Sequence, residues 1–198
     1  MEQIKKILGI DIGILNLGYV YSTLRIDSSE LLVTECDRVD ITIFKHSKVP
    51  FCDCKLHHDY CIPDYIDHFI QEHLEVFEES DLILIERQPP VGITNVQDLI
   101  FSRYRNKVLL VSPNVIHKYF KMSKDYSKRK EESQGIAEVY LNNFAKYNNN
   151  IRKHDISDAL LLIIWYSKKL ILENYKEMKN KSIKTPVDLE QFRFLAKK

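Results

Sequence analysis

The stretch Ile7-Leu8-Gly9-Ile10-Asp11-Ile12-Gly13 (ILGIDIG) places one carboxylate inside a short apolar run that ends in glycine. A run of this length and composition predicts a buried β-strand, Ile7–Gly13. An acid among apolar neighbours costs free energy unless it is paired or binds a cation, and the flanking glycines allow a backbone or a phosphate to approach. Asp11 is therefore the first candidate functional residue, although a turn in which Asp and Gly merely end the strand has the same pattern.

The regions that follow alternate between strand and helix patterns. Tyr19–Ile26 and Leu31–Phe44 are rich in β-branched and aromatic residues and, with the first run, predict three antiparallel strands. Apolar residues at helical spacing predict a helix from Pro63 to about Glu79, and Asp81–Ile85 has the apolar faces of a buried central strand. The other predicted elements are a helix at Thr94–Arg105, a strand at Lys107–Val111, a helical turn at Pro113–Phe120, a helix from about Lys128 to Lys146 and a helix from about Asp155 to Met178. This order predicts an α/β fold with a mixed five-stranded sheet flanked by helices.

The length of 198 residues fits one compact domain. We expect it to span residues 1–178, with a Cys/His insert at 45–61 and a C-terminal tail at 179–198. An apolar fraction of 44% and a charged fraction of 29% are ordinary for a globular protein. The longest apolar run, Ala159–Tyr166, is far below the roughly 20 residues that cross a bilayer, and the N-terminus lacks a signal-peptide pattern. These features predict a soluble intracellular protein with no membrane partner.

Charge is distributed unevenly, although the formal net charge is only +1. Residues 56–86 contain nine acids and no Lys or Arg, whereas residues 117–130 contain six Lys or Arg and one acid. A phosphate backbone would be attracted to the second segment and repelled by most of the first. A solvated, lysine-rich surface would have the same composition.

Three more carboxylates occupy positions typical of a functional site. Glu86 follows the predicted strand Asp81–Ile85, at the end where open α/β sheets bind ligands, although a rim glutamate paired with its neighbour is the structural alternative. Asp155 and Asp158 lie three residues apart at the start of the last predicted helix, where the alternative is that Asp155 caps the helix with Asp158 as its partner. Together with Asp11, these oxygen ligands suit Mg²⁺ or Mn²⁺, and two such ions could hydrolyse a phosphodiester.

As a set, these motifs resemble the RuvC-type Holliday junction resolvases, most closely those of poxviruses and related large DNA viruses. The resemblance runs from about Ile7 to Trp165 and rests on GIDIG (9–13), ILIERQPP (83–90), a lysine-rich helix start (126–130) and KHDISDALLLIIW (153–165). It implies an RNase H-like fold, a homodimer, two Mg²⁺ or Mn²⁺ ions per subunit, and paired cuts in four-way and related branched DNA. In a virus this would serve recombination or concatemer processing in the host cytoplasm or nucleus. The metal ligands implied are Asp11, Glu86, Asp155 and Asp158.

The resemblance also implies a catalytic lysine beside the scissile phosphate, just before the long helix. Lys130 is preferred for that role, with Lys128 second. Further DNA contacts are expected from basic and aromatic residues, namely Arg103, Tyr104, Arg105, Lys121, Lys124 and Arg129, although a surface helix would look similar. By analogy alone, the helix Thr94–Arg105 is a candidate dimer interface.

The insert Cys52–Cys61 departs from the bacterial members of that family. Its thiols and imidazoles could hold a structural Zn²⁺ through Cys52, Cys54, His57 and Cys61, although the Cys-x-Cys spacing is tighter than usual and a metal-free loop is the alternative. A zinc-stapled DNA-binding protein without catalysis is thus a second functional hypothesis. A third is an actin-like ATPase fragment, because GIDIG also resembles the first phosphate loop of those enzymes, but the chain lacks a second such loop.

Overall fold

The structure, a computed structural model, describes residues 3–43 and 58–180. Within these ranges the strands are β1 (Ile4–Asp11), β2 (Leu17–Arg25), β3 (Glu30–Val39), β4 (Leu82–Glu86) and β5 (Val108–Val111). The helices are α1 (Ile62–Glu72), α2 (Leu74–Glu79), α3 (Thr94–Arg103), α4 (Pro113–Tyr119), α5 (Tyr126–Leu141), α6 (Ala145–Asn148) and α7 (Lys153–Asn180). The strands form one sheet in the order β3-β2-β1-β4-β5. The expected mixed five-stranded sheet with helical cover is confirmed.

Strand β1 is central and has a different partner type on each side. It pairs antiparallel with β2 and parallel with β4, while β4 pairs parallel with β5 and β2 antiparallel with β3. Parallel pairing needs crossovers, which α1 and α2 supply between β1 and β4, and α3 between β4 and β5. The carboxyl ends of β1, β4 and β5 therefore meet at one edge of the sheet.

The two faces of the sheet carry separate apolar clusters. Ile7 and Leu84 belong to the cluster under α7, whereas Leu8, Ile10 and Ile85 belong to the cluster under α1 and α3. Because successive strand residues point to opposite faces, the last residues of β1 and β4 are directed to the α7 face. The helix lies close to the sheet there, since a Cβ on Gly9 would lie 2.4 Å from the carbonyl oxygen of Ala159.

Several predicted boundaries are wrong. The helix predicted from Pro63 to Glu79 is two helices, because the chain leaves helical geometry at His73 (φ −109°, ψ 25°). The third strand ends at Val39, where the Asp40 side chain accepts from both the backbone N–H and the hydroxyl of Thr42 and forms a turn.

The long basic helix also differs from its prediction. It begins at Tyr126, two residues before the predicted start, and ends at Leu141, with the short α6 following. The start is fixed by Asp125, whose carboxylate accepts from the backbone N–H of Lys128 at 2.9 Å.

Among residues 3–43 and 58–180, every helix is too short or too polar to span a bilayer. The tail from 181 and residues 44–57 of the predicted insert lie outside the described residues.

Candidate active site

Two of the site carboxylates come from neighbouring parallel strands. Asp11 is the last residue of β1 and Glu86 the last of β4, and the residues before them, Ile10 and Ile85, are directly paired. Asp11 and Glu86 therefore lie side by side at the carboxyl edge of the sheet, on the face covered by α7.

The first turn of α7 supplies the other two carboxylates. The helix begins at Lys153, so Asp155 is its third residue and not a cap, and the N-cap interpretation is wrong. The carboxylate of Asp155 is almost fully buried, while Asp158, one turn further on, is partly exposed.

A cavity of about 340 Å³ brings three of the four carboxylates together. Asp11, Glu86 and Asp158 form its acidic wall. We use the name basic wall for the basic and aromatic part of the lining, His117, Tyr126, Arg129 and Lys130; Pro113, Ile116, Met122 and Leu161 complete the lining. Carboxylates and cationic side chains in one cavity suit a phosphate group bridged to the carboxylates by a divalent cation.

Asp11 also lines a second, more open cavity of about 420 Å³. Asp155 and Arg152 line it, together with residues 12–16 after β1 and Ile93. Asp11 is thus shared between the two cavities, and Asp155 lines the second one.

The acidic wall has unfavourable electrostatics in the absence of a cation. Burial, followed by repulsion from Glu86 and Asp158, raises the pKa of Asp11 well above its usual range. Burial and the nearby Asp158 raise the pKa of Glu86 to about 7, and burial raises the pKa of Asp158 to about 6. The Lys130 ammonium lowers all three pKa values in part. A divalent cation would favour the charged forms much more strongly.

Asp155 has partners of a different kind. The Arg152 guanidinium donates from Nε to Asp155 Oδ2 at 2.8 Å and from Nη2 to Oδ1 at 3.2 Å. The Nε2 atom of His154 lies 3.1 Å from the same Oδ1, without the direction of a hydrogen bond. Sequence reasoning missed both Arg152 and His154; an arginine three residues before a helical aspartate is the signal that could have indicated the pair.

The carboxylates fit a hard cation in chemistry but are not yet arranged around one. Within residues 3–43 and 58–180, no three His, Cys, Asp or Glu side chains have the spacing of a metal site. Four carboxylates are nevertheless an all-oxygen ligand set of the type that Mg²⁺ and Mn²⁺ prefer. The carboxylate of Asp155 is engaged by Arg152 instead.

Of the two candidate lysines, Lys130 lines the first cavity and Lys128 is exposed outside it. The Lys130 ammonium lies 4.8 Å from the centre of the Tyr126 ring, and the Arg129 guanidinium lies 5.6 Å from the same ring. The exposed Tyr126 ring therefore favours the position of both cations in the cavity lining.

The remaining predicted DNA contacts lie elsewhere. Tyr104 is only 5% exposed, stacks on Phe77 and donates to the Glu78 carboxylate, so the structure corrects the expectation that its ring is available to a base. Arg103 pairs with Asp67 on α1, and neither Arg103 nor Arg105 lines either cavity.

Two other candidates, Lys121 and Lys124, are exposed residues of the turn that leads to α5. Lys121 has a positive φ of 54° there, and the carbonyl of Lys124 accepts from Arg129. The backbone of Lys124 therefore lies beside Arg129, but neither the Lys121 nor the Lys124 side chain lines either cavity.

The predicted zinc ligands Cys52, Cys54 and His57 lie outside the described residues, so only Cys61 can be placed. It precedes α1, and its backbone N–H donates to the Asp64 carboxylate at 3.3 Å. Nearby, the Nε2 atoms of His58 and His68 lie 2.9 Å apart, and His68 is 1% exposed. The arrangement of the two imidazoles is that of a ring-to-ring hydrogen bond.

Comparison with solved structures finds the same architecture in three structures of two proteins. The fowlpox virus resolvase in complex with substrate Holliday junction DNA superposes with a TM-score of 0.61 at 17% sequence identity, covering 83% of this chain and 98% of that one. A second structure of the fowlpox virus Holliday junction resolvase superposes with a TM-score of 0.59 at 16% sequence identity, covering 84% of this chain and 99% of that one. Thermus thermophilus RuvC superposes with a TM-score of 0.51 at 14% sequence identity, covering 89% of this chain and 97% of that one.

The chain has the RNase H-like fold of the RuvC-like resolvases. This agrees with the fold expected from the sequence resemblance. Neither the models of known protein families nor the curated protein sequences give a match to this chain. At these levels of identity the RuvC-like neighbours establish the fold, and the function is argued from the site.

Proposed function

We propose that this protein is a metal-dependent endonuclease that cuts branched DNA, with the four-way junction as its principal substrate. The observation that carries the proposal is the convergence of Asp11, Glu86 and Asp158 on one cavity that Lys130 also lines. The fold alone would be compatible with many chemistries, whereas this cavity suits phosphodiester hydrolysis. The similarity in fold to a viral resolvase solved with junction DNA supports the choice of substrate.

In this proposal the four carboxylates Asp11, Glu86, Asp155 and Asp158 hold the cations, with Asp11 shared between the two cavities. Bound Mg²⁺ or Mn²⁺ would neutralise the carboxylates, lower the pKa of an attacking water and stabilise the leaving 3′ oxygen. Lys130 neutralises charge on the phosphate from the basic wall, and Arg129 binds a neighbouring phosphate. Paired cuts need two active sites, so the proposed active form is a homodimer.

The test compares cleavage of a labelled four-way junction with cleavage of linear duplex of the same sequence, in Mg²⁺, Mn²⁺ or EDTA. We expect metal-dependent nicks in opposing arms of the junction and little cutting of the duplex. Asp11→Asn should abolish cleavage and retain junction binding, because it removes a ligand while leaving the basic wall intact. The matched control is Asp27→Asn, at an exposed turn away from both cavities.

The same experiment separates the alternatives. Junction binding without cleavage in any metal would favour the non-catalytic DNA-binding protein. If the protein neither binds nor cleaves the junction or the duplex, the nuclease proposal is contradicted. The actin-like ATPase hypothesis would then have to be considered again.

A further inference from the structure

Among the described residues, Asp155 is the one site carboxylate that is hydrogen-bonded to a cationic side chain. Both of its oxygens accept from the Arg152 guanidinium, and the Asp155 residue is only 4% exposed. The Arg152 side chain, in contrast, is 44% exposed. A buried carboxylate is thus neutralised by a side chain that is itself partly exposed to solvent.

The pair lies in the wall of the 420 Å³ cavity, which also contains Asp11. A divalent cation binding between Asp11 and Asp155 would compete with the guanidinium for the same carboxylate charge. Two cations within a few ångströms of each other repel strongly in a partly buried site. Arg152 and a metal ion would therefore compete for Asp155.

The backbone at Arg152 is held in place independently of its side chain. The side-chain oxygen of Asn150 accepts from the backbone N–H of Arg152 and from Nε of Arg38, each at 3.0 Å. Arg38 in turn donates to the Asn16 side chain at 2.6 Å. The guanidinium of Arg152 can consequently change partner without moving the start of α7.

We propose that Arg152 is an internal counter-ion that a divalent cation must displace from Asp155, and that a DNA phosphate draws the guanidinium away. The inference rests on the proposed nuclease function. A guanidinium binds a phosphate in the same two-point manner as a carboxylate. Every charge stays paired in this exchange. Asp155 loses its ion pair with Arg152 and binds the cation, while Arg152 pairs with the phosphate. The full number of divalent cations is then bound when DNA is bound. Arg152 acts through Asp155 and is a positioning residue.

A structural ion pair would behave differently when Arg152 is removed. If the pair only orders the first turn of α7, its loss leaves Asp155 poorly placed, and metal affinity falls or stays the same. If Arg152 competes with the metal, its loss raises metal affinity. The direction of the change therefore separates the two roles.

The experiment measures Mn²⁺ binding to the DNA-free protein by electron paramagnetic resonance. We expect Arg152→Gln to tighten Mn²⁺ binding by about tenfold, the ratio that corresponds to about 1.4 kcal/mol. In an Asp155→Asn background the same substitution should have no effect, because the shared carboxylate charge is gone. The matched control is Arg25→Gln, which removes a guanidinium paired with Glu30 outside both cavities. In EDTA, Arg152→Gln should weaken binding of a four-way junction and reduce its salt dependence by about one counter-ion.

Suppose that the wild type binds Mn²⁺ and Asp11→Asn does not. Unchanged or weaker Mn²⁺ binding in Arg152→Gln would then overturn the inference about Arg152 and leave the proposed nuclease function standing. Equal Mn²⁺ binding by the wild type and Asp11→Asn would overturn both the inference and the proposed function. Unchanged junction affinity and salt dependence in EDTA would overturn the exchange with phosphate.

Discussion

Gly18 lies so close to Asp155 that a Cβ on Gly18 would be 2.1 Å from the carbonyl oxygen of Asp155. Gly18 is also the direct antiparallel partner of Asp11 across β1 and β2. One missing side chain therefore lets the first turn of α7 lie against the strand pair that carries Asp11. The carboxylates of a strand end and of a helix start come together because of this contact.

Gly18→Ala should disturb this contact and the site with it. The added methyl group would collide with backbone, which cannot rotate away, so we expect a loss of about 1–3 kcal/mol in the free energy of unfolding and weaker Mn²⁺ binding. Denaturant unfolding and Mn²⁺ titration measure the two effects. Gly135→Ala is the matched control, since Gly135 is in α5 with open space around its Cβ position; it should gain about 0.5–1 kcal/mol. Equal effects of the two substitutions would contradict the close approach.

The free energy of unfolding of the metal-free protein should fall as pH rises from about 4 to about 7. Glu86 and Asp158 have pKa values raised to about 7 and about 6, so in this window the folded state binds protons that the unfolded state has released. The stabilisation is complete below the ordinary carboxyl pKa and is lost as pH rises through the raised values. Urea unfolding in EDTA at several pH values measures the slope.

Glu86→Gln should flatten this dependence, because the amide mimics the protonated acid at every pH. Glu138→Gln, on an exposed part of α5, should leave it unchanged. Mg²⁺ should restore stability above pH 7 in the wild type and less so in Glu86→Gln. A slope that is the same in Glu86→Gln and the wild type would show that Glu86 does not hold the extra proton.

Lys130→Ala should lower the rate of junction cleavage by about 100-fold while weakening junction binding much less, because the ammonium lies in the same cavity as the carboxylates. Lys128→Ala is the matched control and should change the rate little, since that side chain is exposed outside the cavity. Single-turnover cleavage and binding in EDTA separate the two quantities. A greater rate loss in Lys128→Ala would reverse the assignment.

The sequence predicts those parts of the site that depend on local pattern. Asp11 and Glu86 end short apolar runs, and the alternation of a strand is enough to place such ends at one edge of a sheet. The spacing of Asp155 and Asp158 likewise indicates a shared helix face. The fold follows from the order of these elements and from the family resemblance.

Other features depend on contacts between distant residues and could not be predicted. The break at His73 is stabilised by tertiary contacts, including its Nε2 atom 3.0 Å from the Tyr19 hydroxyl. The burial of Tyr104 depends on Phe77 and Glu78 from another helix. The role of Gly18 depends on where α7 lies, which no local pattern specifies.

Cys61→Ser distinguishes the zinc hypothesis from a metal-free loop by the sign of its effect on stability. Cys61 is the N-cap of α1, and serine is a much better N-cap than most residues, so in a metal-free protein the substitution should keep or raise the melting temperature. If Cys61 ligates zinc together with Cys52, Cys54 and His57, the loss of a thiolate should lower both the melting temperature and the zinc content. Thermal unfolding with elemental analysis measures both, and Cys36→Ser, at a buried thiol on β3, is the control for zinc content. A purified wild type without zinc, and a Cys61→Ser variant that melts no lower, would dismiss the metal.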